Sequence, residues 1–474
     1  MVKEHYDIAV IGSGPAGQRA AIQAAKKKKK VVIIDRRAYK LGGVSLHTGT
    51  IPSKTLREAV LYLRGMRRKK IYGPSHRFNE NITLEALLER VETILSYELR
   101  IIETQLIKNG VRFLYGQASF LDRHTLDVRA RDGEKIAEVT ADKIIIATGT
   151  IPRHAPGVAF DYEVIFDSNF IFSHKSKIKS LPKSLIVYGA GVIGSEYAVM
   201  FAALGCKVWL IDNHTELFPF LDGKIVHLLK EHMERMDITL MMGHPYETID
   251  VTPEGKGRLV TEDGTTLEAE AILFSKGRLP CVDPLNLDAV GVELRENRLI
   301  KVNESYRTSV ENIFACGDVI GFPALASTSA EQGRVTARYA LGLEIRHHKP
   351  ELFPFAIYTI PEISYIGKTE EQLKKEKIPY EKGIAYYYEV AKAAIAGDDT
   401  GALKILFHPE TLDILGVHII GDQAAEIVHI GQLAMAFNGK VDTFVKNVFN
   451  YPTWAEAYKV AALNGINKLS HKDI

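Results

Sequence analysis

Cysteine is nearly absent from this chain: three stand among 474 residues, at Cys206, Cys281 and Cys316. Scattered so widely, they form no disulfide framework and no metal-ligand spacing, and no metal site is expected. Charge of one sign is lacking too. Lys and Arg number 60 against 58 Asp and Glu, a net charge of +2. That balance gives no general drive toward nucleic acid or an acidic membrane surface, so neither is expected as a partner. Unbroken apolar runs are missing as well. The most apolar long stretch, Ser184 to Ile211, is interrupted by glycines and carries Glu196, which argues against a membrane span. No charged-then-apolar leader follows Met1, and the expected location is cytoplasmic. What remains is an ordinary globular composition, 46% hydrophobic and 25% charged, with enough length for about three domains.

The chain opens on HYDIAVIGSGPAGQRAAIQAA: an apolar strand, a glycine turn and a helical pattern. Gly12, Gly14 and Gly17 satisfy GxGxxG in the context it requires, and a second buried strand, Val31 to Ile34, ends at Asp35. The first glycine permits the tight turn, the second lets the backbone approach a pyrophosphate, and the third allows close helix packing. The helix N-terminus adds amide donors and a positive dipole. Asp35 lies 18 residues after Gly17 (35 − 17), where a carboxylate can accept from ribose hydroxyls. A bare GxGxxG is weak, but this strand–turn–helix–strand–acid unit points firmly to a dinucleotide. Ser184 to Asp212 repeats it, with Gly189, Gly191 and Gly194 in the turn and the acid again 18 residues on (212 − 194). Two such units imply two dinucleotide sites. The lysine run Lys26 to Lys30 reads as a solvated face at a helix C-terminus, complementing its dipole.

Thr55 to Lys70 and Thr83 to Asn109 show helical periodicity, and Val111 to Val139 reads as a small antiparallel ribbon with a turn at Asp132-Gly133. A buried strand from Lys143 then ends in Ala147-Thr148-Gly149. Helix and short strands between Leu217 and Thr265 close the second unit. After SKGRLP, which includes Gly277, the chain returns through TSVENIFACGDV, with Gly317-Asp318 at its end and a helix expected after Pro323. From Phe353 the pattern shifts to strands and then helices, ending in the amphipathic tail NYPTWAEAYKVAALNGINKL. Cys316 reads as a small buried residue.

The stretch GGVSLHTGTIPSK, Gly42 to Lys54, opens a long helical pattern. It resembles the redox-active segment of the flavin disulfide reductases, the family of lipoamide dehydrogenase and glutathione reductase, which reads GGxCxNxGCxPSK. Gly42, Gly43, Gly49, Pro52, Ser53 and Lys54 keep that frame, while Ser45 and Thr50 occupy both cysteine positions. A hydroxyl neither forms a disulfide nor ionises near neutral pH. The dithiol members also carry a His before the Pro of HPTxxE; here Pro452, Thr453 and Glu456 match and Tyr451 replaces the His. Tyrosine, with an unperturbed pKa near ~10, is a poor base for a thiol.

The resemblance implies an α/β fold: two Rossmann-like dinucleotide-binding domains plus an α+β C-terminal dimerisation domain. Its expected segments are 1–154 and 277–348 for FAD, 155–276 for NAD(P), and 349–474 for a homodimer or higher homo-oligomer. It places FAD at Gly12, Gly14, Gly17, Asp35, Gly43, Thr148, Gly149 and Asp318, the last on the ribityl chain. It places the nicotinamide nucleotide at Gly189, Gly191, Gly194, Asp212 and Gly277. Lys54 and Glu196 are the implied catalytic pair, an ion pair beside the flavin's reactive nitrogen that stabilises negative charge on the ring. From His5 to about Leu469 the chain is similar to the dithiol-free branch of the family, which exchanges hydride between NADPH and NAD+. Some of its members keep a cysteine at the Ser45 position, but one thiol cannot cycle as a dithiol. The implied reaction is ping-pong, with NAD(H) and NADP(H) as substrates. The alternatives are a diaphorase that passes electrons to quinones or dioxygen, and a flavin-binding scaffold without activity.

Overall fold

The computed structural model describes residues 2–38, 40–68, 84–172, 180–343, 345 and 352–470. The chain divides into two compact units, Met1–Leu181 with Lys276–His348, and Pro182–Ser275 with Lys349–Ile474.

The first unit is built on a seven-stranded sheet. Its parallel part runs in the order Arg112–Tyr115, Val31–Asp35, Val2–Ile11 and Lys135–Ile146, with Ile313–Ala315 also paired to the last of these. Because successive strand side chains point to opposite faces, the buried residues split into two cores. Ile8, Val10, Ile33 and Ile145 pack with Ala20, Ala21 and Ala24 of the helix Pro15–Ala25. Ala9, Ile11, Ile34 and Ile146 pack on the other face with Phe120, Leu126 and Val128. Each large aliphatic side chain buried this way contributes about 1.5–3 kcal/mol. The helix Pro15–Ala25 also packs on Ala326–Ala340, and Gly333 makes this possible: a Cβ there would lie 2.0 Å from the Ala16 carbonyl oxygen.

The expected ribbon is only partly correct. Gln117–Phe120, Thr125–Arg129 and the start of Lys135–Ile146 do pair antiparallel. The first stretch, Arg112–Tyr115, instead joins the parallel sheet beside Val31–Asp35. The ribbon's last strand and the buried strand before Thr148 are one continuous twelve-residue element. Two helices, Thr50–Arg68 and Leu84–Lys108, occupy the charged periodic stretches, the first beginning five residues before Thr55. Lys70 and Thr83, the expected outer ends of these stretches, lie outside the described residues.

In the second unit, the strands Ile238–Met242, Lys207–Asp212, Ser184–Tyr188 and Ala271–Phe274 are parallel in that order. A three-stranded antiparallel sheet, Tyr246–Val251, Gly257–Thr261 and Thr266–Ala269, lies in sequence between Ile238–Met242 and Ala271–Phe274. The C-terminal part is an antiparallel five-stranded sheet in the order Phe355–Ile357, Ile363–Gly367, Ile414–Gly421, Gly401–Phe407 and Glu381–Tyr386. Its core gathers Leu403, Ile405, Phe407, Val417 and Ile419 against Tyr458, Ala461 and Ala462 of the helix Glu456–Ser470.

Candidate active site

Both glycine turns are built alike, and the packing explains the spacing of their glycines. Gly12 stands at φ 106°, where a Cβ would lie 2.3 Å from the Ala147 carbonyl oxygen, and one on Gly17 would lie 1.9 Å from the Gly12 carbonyl oxygen. Gly189 stands at φ 110°, and a Cβ on Gly194 would lie 1.9 Å from its carbonyl oxygen. Gly14 and Gly191, by contrast, face open space. Each is the N-cap of its helix, Pro15–Ala25 or Val192–Ala203, and neither helix has a side-chain cap. Uncapped amides beside an open glycine make an anion-binding surface.

The two acids pin these turns. Asp35 Oδ2 accepts from the Ser13 amide at 2.9 Å and the Ser13 hydroxyl at 2.5 Å, and Oδ1 accepts from the Arg37 amide at 2.9 Å. Asp212 Oδ2 accepts from the Ala190 amide at 2.7 Å, and Oδ1 accepts from the His214 amide at 2.9 Å and contacts His214 Nδ1 at 2.7 Å. The spacing of the acids suggests a ribose as their partner; the contact each makes in the fold is with a loop amide.

Gly12 and Gly14 open onto a cleft of about 1110 Å³ in the first unit, also lined by Asp35, Gly43, Thr148, Gly149 and Asp318. Gly17 lies behind the turn, where its role is packing. Thr148 Oγ1 is buried without a hydrogen-bond partner, an unmet donor and acceptor in the cleft wall. Asp318 is steadied by the Ser329 hydroxyl at 3.0 Å, and the Gly317 amide donates to Gln332 Oε1 at 2.8 Å. Open glycine, helix amides, an orphan hydroxyl and a steadied carboxylate fit a phosphate-bearing dinucleotide with a polyol chain.

Ser45 and Thr50 line the same cleft. Lys54 is half-buried one turn further along the helix that begins at Thr50. Glu196, in the second unit, is 5% exposed on the helix Val192–Ala203, and its Oε1 accepts from the Tyr358 amide at 2.8 Å. Gly277, expected at the nicotinamide nucleotide, clusters with the first unit, where its carbonyl accepts from the Arg153 amide at 3.0 Å.

Several residues at these sites were missed in the sequence. Ser275 closes the second turn, its hydroxyl donating to the Gly189 carbonyl at 2.8 Å. Arg278 donates to Thr150 Oγ1 at 2.8 Å and to its carbonyl at 2.9 Å, tying Arg278–Pro280 to Thr150–Pro152. Burial lowers its pKa, opposed by Asp318. Arg36, Arg37 and Cys281 line the cleft, with Arg36 Nη2 3.8 Å from the Cys281 sulfur. Burial pushes that thiol up despite the nearby arginines. Cys206 and Cys316 are pushed up to about 12 by burial. All three cysteines are free. Among the described residues no cluster of His, Cys, Asp or Glu could hold a metal ion, and no helix is long and apolar enough to cross a membrane.

Comparison with known proteins agrees with this architecture. The sequence profile of the pyridine nucleotide-disulphide oxidoreductases matches residues 6–333, and that family's dimerisation domain matches residues 353–462. The soluble pyridine nucleotide transhydrogenase of Mycobacterium tuberculosis (strain ATCC 25177 / H37Ra) is 47% identical over 464 residues, 98% of each chain. The protein of that name from Aliivibrio fischeri is 42% identical over 468 residues, 98% of each chain. Among solved structures, LpdA from Mycobacterium tuberculosis superposes with a TM-score of 0.88 at 26% identity, covering 98% of this chain and 99% of its own. The flavoprotein disulfide reductase RclA from Escherichia coli, at 23% identity and a TM-score of 0.85 over 96% of this chain and 99% of its own, shares the fold. The chain belongs to the pyridine nucleotide-disulphide oxidoreductase family.

Proposed function

We propose that this protein exchanges hydride between NADPH and NAD+ at a bound FAD, in ping-pong order and without a dithiol step. One observation carries the reading: a dinucleotide cleft with its glycine turn, Thr148 and Asp318 in place is lined by Ser45 and Thr50 at the positions of the family's two cysteines. Relatives named as transhydrogenases, at 47% and 42% identity, support it. They lend no support to the diaphorase alternative.

In this reading Gly12, Gly14 and the uncapped helix amides hold the FAD pyrophosphate, Asp35 the adenosine ribose, and Asp318, steadied by Ser329, the ribityl chain. Gly43, Thr148 and Gly149 line the remaining wall. When bound, FAD supplies a ring able to accept hydride from one nicotinamide and return it to another. Gly189, Gly191, Gly194 and Asp212 of the second unit hold NAD(H) or NADP(H), so both substrates meet one set of groups. Lys54 and Glu196 are the catalytic residues of this reading: the lysine stabilises negative charge at the reaction centre, and the glutamate carboxylate is oriented by the Tyr358 amide. The hydroxyls of Ser45 and Thr50 cannot take electrons, so the dithiol exit is closed and a second nicotinamide takes the hydride. The segments 1–154, 155–276, 277–348 and 349–474 serve as FAD, NAD(P), FAD-return and dimerisation domains, and the working form is a homodimer or a higher homo-oligomer.

The purified protein should be yellow, bleach with NADPH and recolour with NAD+ under anaerobic conditions, while leaving lipoamide and glutathione disulfide untouched. Failure to recolour, or substantial lipoamide turnover, would sink the proposal.

A further inference from the structure

Asp212 ends the strand Lys207–Asp212, and Asn213 and His214 follow it at the start of the segment that leads to Asp222. That segment is tethered along its length. Leu217, Phe218 and Leu221 are buried, and Phe220 packs on Phe355 of the C-terminal sheet with ring centroids 5.5 Å apart. Its far end is held by charge. Asp222 is fully buried and caps the helix Gly223–Arg235 by accepting from the Lys224 amide at 3.1 Å. Both its oxygens also accept from Lys404 Nζ, at 2.8 and 2.7 Å. Lys404, on the strand Gly401–Phe407, is only 1% exposed.

The same ammonium donates to Glu370, which also accepts from Lys382 at 3.1 Å and the Tyr380 hydroxyl at 3.0 Å. Glu371 accepts from the Gly223 amide at 3.2 Å. Lys404 and Lys382 balance Asp222 and Glu370. Replacing such a balanced cluster with apolar side chains is often neutral for stability, so a cluster of this kind is weak evidence of a stabilising role, and fixing geometry is the better-attested use.

We propose that Lys404 is a positioning residue for the nicotinamide nucleotide: through Asp222 it holds the segment after Asp212 in the conformation that receives the adenosine ribose. This rests on reading the second glycine turn as the nucleotide site. Lys404 touches no part of that turn, so its removal leaves the chemical groups in place and loosens the charged anchor at the segment's far end. The ordering cost then falls on binding, which raises KM and spares kcat.

The charge-balanced double variant Lys404→Met/Asp222→Asn tests this, with Lys382→Met as the control, since Lys382 reaches Glu370 and not Asp222. The double variant should keep its FAD absorbance, raise KM for both NADH and NADPH by roughly ten-fold, and keep kcat within about two-fold. Lys382→Met should change neither. An unchanged KM in the double variant, or an equal rise in the control, overturns the inference. If the double variant fails to fold, Asp222→Asn alone keeps the cap and weakens the ionic hold, and the same KM criterion applies to it. Direct titration of the wild-type protein with NADH and NADPH separates the two claims. Absence of binding there would overturn the reading of the second site itself, whereas wild-type binding with unchanged variants would overturn only the role of Lys404.

Discussion

At positions 45 and 50 the chain carries oxygen where its dithiol relatives carry sulfur, and that exchange decides which reactions are open. A hydroxyl at neutral pH is neither a reductant nor a thiolate. The remaining thiols offer no substitute, since burial holds Cys206 and Cys316 at about 12 and no disulfide joins any pair. The loss was legible in the sequence because a motif's frame and its chemistry occupy different residues. Glycine, proline and lysine persist around the changed pair. Lys54 is the residue whose kinetic role is most open to test. Lys54→Ala should slow flavin reduction by NADPH roughly a hundred-fold or more, as expected when one preorganised charge worth ~2.7–4 kcal/mol is removed. FAD should stay bound, because Gly12, Thr148 and Asp318 of the cleft are untouched. Stopped-flow absorbance reads both quantities, and an unchanged rate would remove Lys54 from the mechanism.

Among elements, the informative unit is the strand–turn–helix–strand repeat. Each copy is closed by a carboxylate from the second strand bound to an amide of the glycine turn, Asp35 to Ser13 and Asp212 to Ala190. The acid therefore shapes the turn, and in the proposed function it also faces the ribose. Asp212→Ala should lower kcat/KM for both nucleotides, because the Ala190 and His214 amides lose their acceptor. It should lower NADH more than NADPH, since the lost carboxylate no longer accepts from the ribose hydroxyls or repels a 2′-phosphate. The ratio should shift by about ten-fold, or ~1.4 kcal/mol. Half-reaction kinetics with each reductant would show this, and a constant ratio would place nucleotide choice elsewhere. The strand Arg112–Tyr115 shows the opposite case. Its alternating pattern fits a ribbon or a sheet edge equally well, and only the neighbouring Val31–Asp35 selects the edge.

Across the second unit, acid stability is set by groups brought together from distant parts of the chain. His418 is buried with Nδ1 unpartnered, and its ring lies against Tyr365. Burial lowers its pKa from 6.5; Asp222 and Glu371 oppose this and Lys404 reinforces it. The folded state then stays neutral where the unfolded chain takes up a proton, so stability falls as pH drops below about 6.5. Glu370 acts further down. Burial alone would raise its carboxyl, but Lys404, Lys382 and Tyr380 outweigh that and hold it at about 2. Its contribution is complete above the unfolded value near 4.5 and is lost as pH falls toward about 2. His418→Gln should flatten the decline just below pH ~6.5, by up to ~1.4 kcal/mol per pH unit, and leave the lower limb in place. Urea midpoints across that range would check it; a slope identical to wild type would assign the proton uptake to another group.

The two strand–turn–helix–strand units, the acids that close them, the missing dithiol and the C-terminal shift in composition are legible in the chain itself. These are local patterns, written in spacings of a few residues, where backbone sterics and side-chain chemistry leave one reading. Tertiary structure alone decided what lies far apart in the chain. It brought Ser275 to the turn at Gly189 and Gln332 to the amide of Gly317. It set Lys404 on Asp222, a pair 182 positions apart. A buried lysine in the strand ALKILFH looks in sequence like an ordinary solvated one, because its partners come from other elements. Only the closed fold removes the water that would otherwise separate those charges.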